Sequence, residues 1–383
     1  MNLKSTILLV IIFLSACIDP LDIRIPVYER QLVIDGTVYE GAGPHRVSIF
    51  YAADLQAQRA EFKSKERVTN ATVQIIADTQ SFTLAEVEPG IYESIEGVLM
   101  GTIGDVYELQ IQTADQKRYH STQQLMEAAG SIDRLDFEFQ EDIINIPETR
   151  QLRDGFSIWM DASAAAGSSG YLRWRYTGTY EIITQPELRT RVEASPSGLP
   201  IILPDPLPCS GHEGVGFELI RVAGCECCSC WVDEDDGKVR LANKDFIAVQ
   251  NYRDVKLLSI PADRERFYIG YSLLVEQLSI SADVYDFWQG VAAQQTGQGS
   301  LFQPNISIIR GNIVNVDDPN EKVLGIFSVS AVVSKRIYLD RLDIPYCVDL
   351  RQEFLECLQA PNVFFDDCRL KYERSTNIKP AFW

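Results

Sequence analysis

Short strand-like segments separated by turn residues dominate the first third of this chain. Six segments alternate apolar with polar residues and are rich in β-branched or aromatic side chains, and Gly, Pro, Asn and Asp lie between them. They cover residues 31–38, 46–51, 71–77, 81–87, 90–94 and 106–113. Because no long helical stretch separates these strands, the sequence predicts an immunoglobulin-like β-sandwich over residues 31–126.

A second series of strands follows the sandwich. Its segments cover residues 135–139, 156–162, 171–183, 246–250, 255–260, 266–280 and 324–339. A chain of 383 residues is long enough for two domains, so we predict a larger β-rich domain over residues 131–383. The expected fold class is mainly β: an N-terminal immunoglobulin-like sandwich followed by a larger β-rich domain with one amphipathic helix.

The helix is predicted over residues 281–295. Its apolar side chains recur at helical spacing, with Ser281 as the N-cap and Gly297 at the end. The stripe consists of Val284, Phe287, Trp288 and Val291. We expect it to pack on a neighbouring sheet, as amphipathic surface helices do, and a partner-binding face is the alternative.

The amino terminus has the pattern of an export signal. One Lys precedes an uncharged apolar run that is shorter than the roughly 20 residues needed to span a membrane. The run ends in Leu14-Ser15-Ala16-Cys17, which resembles the bacterial lipobox, where the cysteine receives a lipid and becomes the first mature residue. We therefore predict a lipoprotein signal peptide over residues 1–16, lipid attachment at Cys17 and a tether over residues 17–30. A plain secretory signal with an incidental cysteine is the alternative.

The net charge excludes one class of partner. The chain has 35 Lys and Arg against 54 Asp and Glu, a formal charge of −19. Such a surface repels phosphate backbones and anionic lipid, so we expect no nucleic-acid binding. Contact with a membrane would come through the N-terminal lipid.

Eight cysteines besides Cys17 all lie in the second half of the chain. An even number of cysteines in an exported protein predicts a disulfide framework. The run 225–230 is too cramped to be bridged comfortably within itself, so we expect its cysteines to pair with Cys209 and with the C-terminal ones. The disulfide candidates are Cys209, Cys225, Cys227, Cys228, Cys230, Cys347, Cys357 and Cys368.

A zinc site is the main alternative for these cysteines. The cluster, Cys209 and His212 would supply enough ligands for a tetrahedral ion, but the overlapping spacings are unlike the paired C-x₂₋₄-C pattern of structural zinc. A redox-active cysteine pair is a further alternative, although no thioredoxin-like strand-to-helix context surrounds it. We predict no metal and no cofactor.

Two stretches without regular periodicity are candidates for loops. Residues 184–224 are rich in proline and predict a long loop or insertion, a place where recognition residues often lie on a β-scaffold. The run Asp233-Glu234-Asp235-Asp236-Gly237 offers clustered carboxylates for calcium. It does not match the EF-hand spacing, so we interpret it as a solvated acidic turn.

No catalytic motif is found. The histidines, His45, His120 and His212, are far apart in sequence, and we expect His45 and His120 to be solvated in the first sandwich. The hydrolase elbow, the zinc-protease helix and phosphate-binding glycine loops are missing from the sequence. We therefore predict that the chain is not an enzyme.

Several segments in a fixed order resemble a known family. These are residues 32–38, 70–75, 90–94, 107–113, 230–231, 272–288, 300–313 and 323–339. They are similar to the Bacteroidota outer-membrane lipoproteins classed as domain of unknown function 4249. That resemblance implies a lipid-anchored protein of the outer membrane, facing the cell surface, that works with a TonB-dependent receptor. It brings no catalytic residues and leaves the ligand open.

The expected function is therefore that of an accessory protein to a TonB-dependent transporter, acting in substrate capture or uptake. The alternative is a surface hydrolase or metal-binding enzyme that uses an acidic pair or a metal held by the cysteine cluster.

Overall fold

The computed structural model describes residues 31–52, 66–146, 151–195, 197–242, 251–297, 309–345 and 364–383. Four predicted features lie outside them: the signal peptide and tether, the lipid-attachment residue Cys17, the cysteines Cys347 and Cys357, and the strand at residues 246–250. The described chain is mainly β, which confirms the predicted fold class. Within it, no helix is both long and apolar enough to cross a membrane.

Nine strands precede residue 126 in the described part of the chain, and they include all six predicted there. The strands are β1 (Leu32–Tyr39), β2 (Arg46–Tyr51), β3 (Glu66–Arg67), β4 (Thr72–Ala77), β5 (Gln80–Glu88), β6 (Ile91–Glu93), β7 (Val106–Gln112), β8 (Arg118–Ser121) and β9 (Gln124–Leu125).

Alternation of apolar and polar residues explains how these strands close on one another. In β1 the side chains of Leu32, Ile34 and Val38 are buried, whereas Asp35 faces solvent. Because side chains alternate along a strand, the buried residues of β1, β2 and β4 to β8 meet on one side and form a shared core. Tyr92 and Tyr107 close this core and use their hydroxyl groups to bind backbone atoms of nearby loops.

Between residues 131 and 297, the described residues add eleven strands and two α-helices. These are β10 (Ser131–Ile146), β11 (Gln151–Ser163), β12 (Leu172–Ile183), β13 (Thr190–Ala194), β14 (Pro200–Pro204), β15 (His212–Val215), β16 (Glu218–Arg221), β17 (Ser229–Glu234), β18 (Arg240–Ala242), β19 (Asn251–Pro261), α1 (Arg264–Phe267), β20 (Tyr271–Ser279) and α2 (Ala282–Gly297).

Four more strands lie in the described segments 309–345 and 364–383. These are β21 (Ile313–Asn315), β22 (Val323–Ser330), β23 (Val332–Leu339) and β24 (Ser375–Thr376).

A second pair of sheets encloses another core. One sheet has the order β10-β11-β19, and the other has the order β23-β20-β12-β17-β24, with β18 also paired to β12. Their facing side chains form one cluster that includes Phe156 of β11, Trp174 of β12 and Leu273 of β20. Long strands with buried apolar side chains on facing sheets explain why this half is mainly β.

Strand β22 belongs to the first sheet, although it lies in the second predicted domain. It pairs in parallel with all eight residues of β1, from Leu32 opposite Val323 to Tyr39 opposite Ser330. Strand β21 pairs with β8 at the other end of the same sheet. The N-terminal sheet is thus completed at its β1 edge by residues that lie 291 positions after their partners in sequence.

The predicted single strand over residues 324–339 is wrong. Ala331 separates β22 from β23, and the two strands join different sheets. The backbone N–H of Ala331 binds the Ser279 hydroxyl, so the crossing point is fixed to β20. Val329 and Ala331 are buried, and Val332 and Val333 are partly buried, so apolar residues continue across the break and the sequence reads as one run.

The predicted strand over residues 266–280 is also shorter than expected. Its first residues form the single helical turn α1, because the carboxylate of Asp263 accepts the backbone N–H of Arg266 at 2.9 Å and caps the turn. The strand itself begins at Tyr271.

The predicted helix is confirmed as α2. The Ser281 hydroxyl accepts the N–H of Val284 at 3.4 Å, as expected for the N-cap, and the helix ends at Gly297. Val284 and Tyr285 are buried against Ile326 of β22, with Phe287 and Trp288 beside them. The apolar stripe therefore packs on the sheets, as predicted.

Candidate functional site

The proline-rich stretch 184–224 is two hairpins, not the irregular loop that its composition predicts. Strand β13 pairs with β14, and β15 pairs with β16, each pair antiparallel. Proline is tolerated here because these two-stranded ribbons have free edges. A Cβ added to Gly214 would lie 2.7 Å from the Pro204 oxygen, so β15 packs closely on the end of β14.

Among the described residues, three disulfides lie between the base of these hairpins and the second β core. Cys209 bonds to Cys227 and thereby closes the β15–β16 hairpin at its base. Cys230 of β17 bonds to Cys368 near the C-terminus, and both sulfurs are fully buried in the core. The insertion is therefore closed by a disulfide at its base, and β17, which follows it, is bonded covalently to the C-terminal segment.

The third bridge differs from the sequence expectation. Cys225 bonds to Cys228, so the cluster is bridged within itself, where we expected only bonds to more distant cysteines. The two Cα atoms are 5.7 Å apart, which is within the ordinary range for a disulfide. A chain turn at residues 225–228 brings these Cα atoms together, and the sequence alone does not show that turn.

The proposed zinc ligands are used differently in the structure. Cys209 and Cys227 lie near the Asp367 carboxylate, but their sulfurs are bonded to each other and are therefore not free thiolates. The Nδ1 atom of His212 lies 3.1 Å from the Ser210 carbonyl oxygen. The same residues thus serve as cross-links and turn contacts.

The hairpins carry an apolar surface that the proline content had hidden. Val192 and Ile202 lie opposite each other on β13 and β14, with 67% and 63% of their surfaces exposed. Phe217, at the tip between β15 and β16, is 74% exposed. We call this surface the hairpin patch, which comprises Val192, Leu199, Ile202, Val215, Phe217, Ile220 and Val222.

Sequence reasoning placed recognition in this region but missed these residues. A usable signal exists in the sequence, because apolar residues recur between the prolines. In the structure, β13 and β14 do not show the alternation of buried and exposed residues that β1 and β4 show. Exposed apolar side chains that cluster in this way mark interaction surfaces more often than isolated ones do.

The acidic run 233–237 is paired rather than freely solvated. The carboxylates of Asp233 and Glu234 accept hydrogen bonds from Thr179 and from Arg266. Asp235 pairs with Arg374, and Asp236 pairs with Arg240. Each carboxylate thus already has a donor, and the run works as a set of cross-links between β17 and its neighbours.

His45 is buried, contrary to the expectation that it is solvated. Its Nε2 lies 3.0 Å from the Leu99 carbonyl oxygen, and its backbone N–H donates to the Ser94 hydroxyl at 2.9 Å. Burial lowers the pKa of His45, so the neutral imidazole is favoured at neutral pH. His120 remains half-exposed, 4.0 Å from the Glu108 carboxylate. His45 is therefore a structural residue of the first core.

A comparison with known protein families matches most of the chain. A family model described as "Domain of unknown function (DUF4249)" matches residues 18–336. The matched region includes the hairpin patch and Cys230, whereas Cys368 lies beyond it. No curated protein matches the chain. Because the match covers most of its length, this chain belongs to the DUF4249 family.

Proposed function

We propose that this protein is a lipid-anchored accessory protein of a TonB-dependent transporter, in the outer membrane of a member of the Bacteroidota. It faces the cell surface and acts in substrate capture or uptake. The observation that carries the proposal is the hairpin patch, a group of exposed apolar side chains on two hairpins, of which the β15–β16 hairpin is closed by a disulfide.

The bracing explains why the patch suits a protein partner. An exposed apolar patch lowers the free energy of the system when another surface covers it. Ordering a mobile loop would offset part of that gain, but the Cys209–Cys227 bridge already restricts the β15–β16 hairpin. The backbone N–H of Glu226 also donates to the Cys209 oxygen at 2.8 Å across the hairpin base. The patch is thus preorganised for contact.

The amino terminus supports the membrane part of the proposal. The lipobox-like residues before Cys17 predict a lipid anchor, and a tether over residues 17–30 follows. Fully extended, these 14 residues span at most about 48 Å. The folded body therefore stays close enough to the membrane surface to meet the outer loops of an integral transporter.

The enzyme alternative has less support from the described residues. Its strongest form used thiolates of the cysteine cluster and Cys209 to hold a metal, and all five of those cysteines form disulfides. Its other form used an acidic pair, and the carboxylates of the acidic run are engaged by Arg and Thr side chains.

Co-purification tests the proposal. The protein carries a C-terminal tag and is isolated from detergent-solubilised native outer membranes, and the bound proteins are identified by mass spectrometry. We expect a TonB-dependent receptor in near-stoichiometric amount. The variant Val192→Asp/Phe217→Asp should lose at least 10-fold of it, because both changes place charge in the patch.

The matched control is Ile95→Asp/Ile103→Asp. Ile95 is 68% exposed and Ile103 45% exposed, but both lie in the first sandwich, outside the hairpin patch. This control should retain the receptor. Recovery of the wild-type protein without a receptor, or equal losses in both variants, would contradict the proposal.

A further inference from the structure

The edge of β12 has a gap that separates two paired strands. Gly178 is paired with Glu234 of β17, and Trp174 is paired with Arg240 of β18. Five residues, 235–239, therefore lie opposite only three, 175–177. The two extra residues form a bulge, so residues 175–177 of β12 have a neighbouring strand on the β20 side alone.

Hydrogen bonds on two sides hold this bulge in shape. The Asp236 carboxylate accepts the Lys238 N–H at 3.1 Å and two bonds from the Arg240 guanidinium. On the other side, the side-chain amide of Gln295 in α2 donates to the Gly237 oxygen at 2.9 Å and accepts from the Val239 N–H at 3.2 Å. The gap is thus a built feature of the fold.

The gap opens into a cavity of about 360 Å³. This volume is in the range of small-molecule sites. Its charged lining consists of the cations Arg173, Arg175, Lys238 and Arg240 and the carboxylates Asp235, Asp236 and Glu276. With four cations against three carboxylates, the lining has one positive charge in excess, in a protein whose net charge is −19.

Two of the arginines are already neutralised. Arg175 forms two bonds to Glu276, at 2.6 and 3.2 Å, and a third to the Tyr39 hydroxyl at 2.8 Å. Arg240 is bonded to Asp236 in the same two-pronged manner. These two ion pairs hold side chains that line the cavity in fixed positions.

Arg173 is different. Among the described residues no carboxylate lies within ion-pair distance of it, although Asp35 is near enough to act on its charge, and its buried Nε has no hydrogen-bond partner. Its guanidinium stacks on the indole of Trp288, 3.6 Å from the ring centroid, which fixes its plane. Burial, together with the nearby charge of Arg175, lowers the pKa of Arg173, but an arginine stays protonated at neutral pH. The cavity therefore contains a positioned, largely desolvated cation that has donors to spare.

We propose that this cavity binds the carboxylate group of a small organic anion, with Arg173 as its main ligand. A planar guanidinium with free donors matches a carboxylate through two parallel hydrogen bonds. The excess of one positive charge suits a single carboxylate better than a doubly charged phosphate. Lys238 lies at the exposed rim of the cavity and attracts the anion. The site is independent of any transporter partner.

Isothermal titration calorimetry on the purified chain tests this site. The probe is N-acetylalanine, with its uncharged methylamide and inorganic phosphate as comparisons. We expect saturable binding of N-acetylalanine and much weaker binding of the other two. Arg173→Gln should weaken binding by about 10- to 100-fold, the range for a lost charge-assisted hydrogen bond. Arg173→Lys, which keeps the charge but loses the planar fork, should fall between.

The matched control is Arg336→Gln. Arg336 also stacks on an aromatic ring, that of Phe382 at 3.6 Å, but it does not line the cavity. This variant should bind as the wild type does, and unfolding midpoints show whether each variant is folded. The proposal is overturned if the wild type does not bind N-acetylalanine, or if the methylamide or phosphate binds with the same affinity. It is also overturned if Arg173→Gln is folded and binds N-acetylalanine with the wild-type affinity.

Discussion

Phe327 of β22 offers the clearest test of how the chain is assembled, because it connects the two ends of the sequence. Its side chain is 0% exposed and lies in the core of the first sheet. A Cβ added to Gly36 of β1 would lie 3.0 Å from the Phe327 ring. Phe327→Ala therefore leaves a cavity beside a residue that has no side chain with which to fill it.

The expected cost follows from this geometry. Replacement of a buried Phe by Ala costs about 3–5 kcal/mol in unfolding free energy, and poor collapse of the cavity favours the upper half of that range, about 4 kcal/mol. Most domains have a total stability of roughly 5–15 kcal/mol, so the effect is large. Phe217→Ala is the matched control, because its ring is 74% exposed and its loss should cost less than about 0.5 kcal/mol.

Urea unfolding followed by circular dichroism measures the free-energy change, and hydrogen exchange locates it. Because β22 pairs with every residue of β1, Phe327→Ala should raise amide exchange in β1 and β2 as well as in β22. A loss of unfolding free energy below about 1 kcal/mol in Phe327→Ala would contradict the claim that the first core depends on β22. So would faster exchange confined to β22, since the first sheet would then be stable without its late strand.

Two further predictions concern pH and covalent cross-links. Burial lowers the pKa of His45 in the folded protein, so the unfolded chain binds the proton more readily. The stability is therefore fully present above about pH 6.5 and decreases below that pH. The decrease is at most about 1.4 kcal/mol per pH unit. Urea unfolding at several pH values should show this slope reduced in His45→Gln and unchanged in His120→Gln; an unchanged slope in His45→Gln would be the contrary result. The double variant Cys230→Ala/Cys368→Ala opens a loop with a sequence separation of 138, and loop entropy predicts a loss of about 5 kcal/mol. For Cys225→Ala/Cys228→Ala, with a separation of 3, the same relation gives a loss of about 1.6 kcal/mol. Thermal unfolding measures both variants, and similar shifts in their midpoints would contradict the dependence on loop length.

Local patterns in the sequence were sufficient for much of the secondary structure. Strands such as β1 and β4 alternate buried and exposed residues with a period of two, and α2 has its apolar residues at helical spacing. Such elements are predictable because the apolar or polar character of each residue indicates whether its position is buried or exposed. The capping of α2 by Ser281 follows from the same local chemistry.

Long-range pairing was not predictable in this way. The break at Ala331 lies inside a continuous apolar run, and nothing local shows that β22 lies parallel to β1. Whether residues 31–126 fold without that strand stays a prediction, which Phe327→Ala addresses. His45 has an ordinary turn sequence around it, and its burial depends on Leu99, which is distant in sequence.

The candidate sites show the same division. The sequence indicated the cysteine-rich insertion as a recognition region, but the pairing of cysteines and the exposure of Phe217 depend on tertiary structure. Arg173 carries no sequence signal, because a strand with alternating arginines is ordinarily interpreted as a solvated face. Its role follows only from the bulge opposite β12 and from its stacking on Trp288.

Site-specific photo-crosslinking in living cells tests the central claim, that the hairpin patch contacts a TonB-dependent receptor. A photoreactive phenylalanine analogue replaces Phe217 in one strain and Ile95 in another, both exposed positions. We expect a crosslink to the receptor from position 217 and none from position 95. Crosslinks to a receptor from neither position, or equally from both, would contradict it.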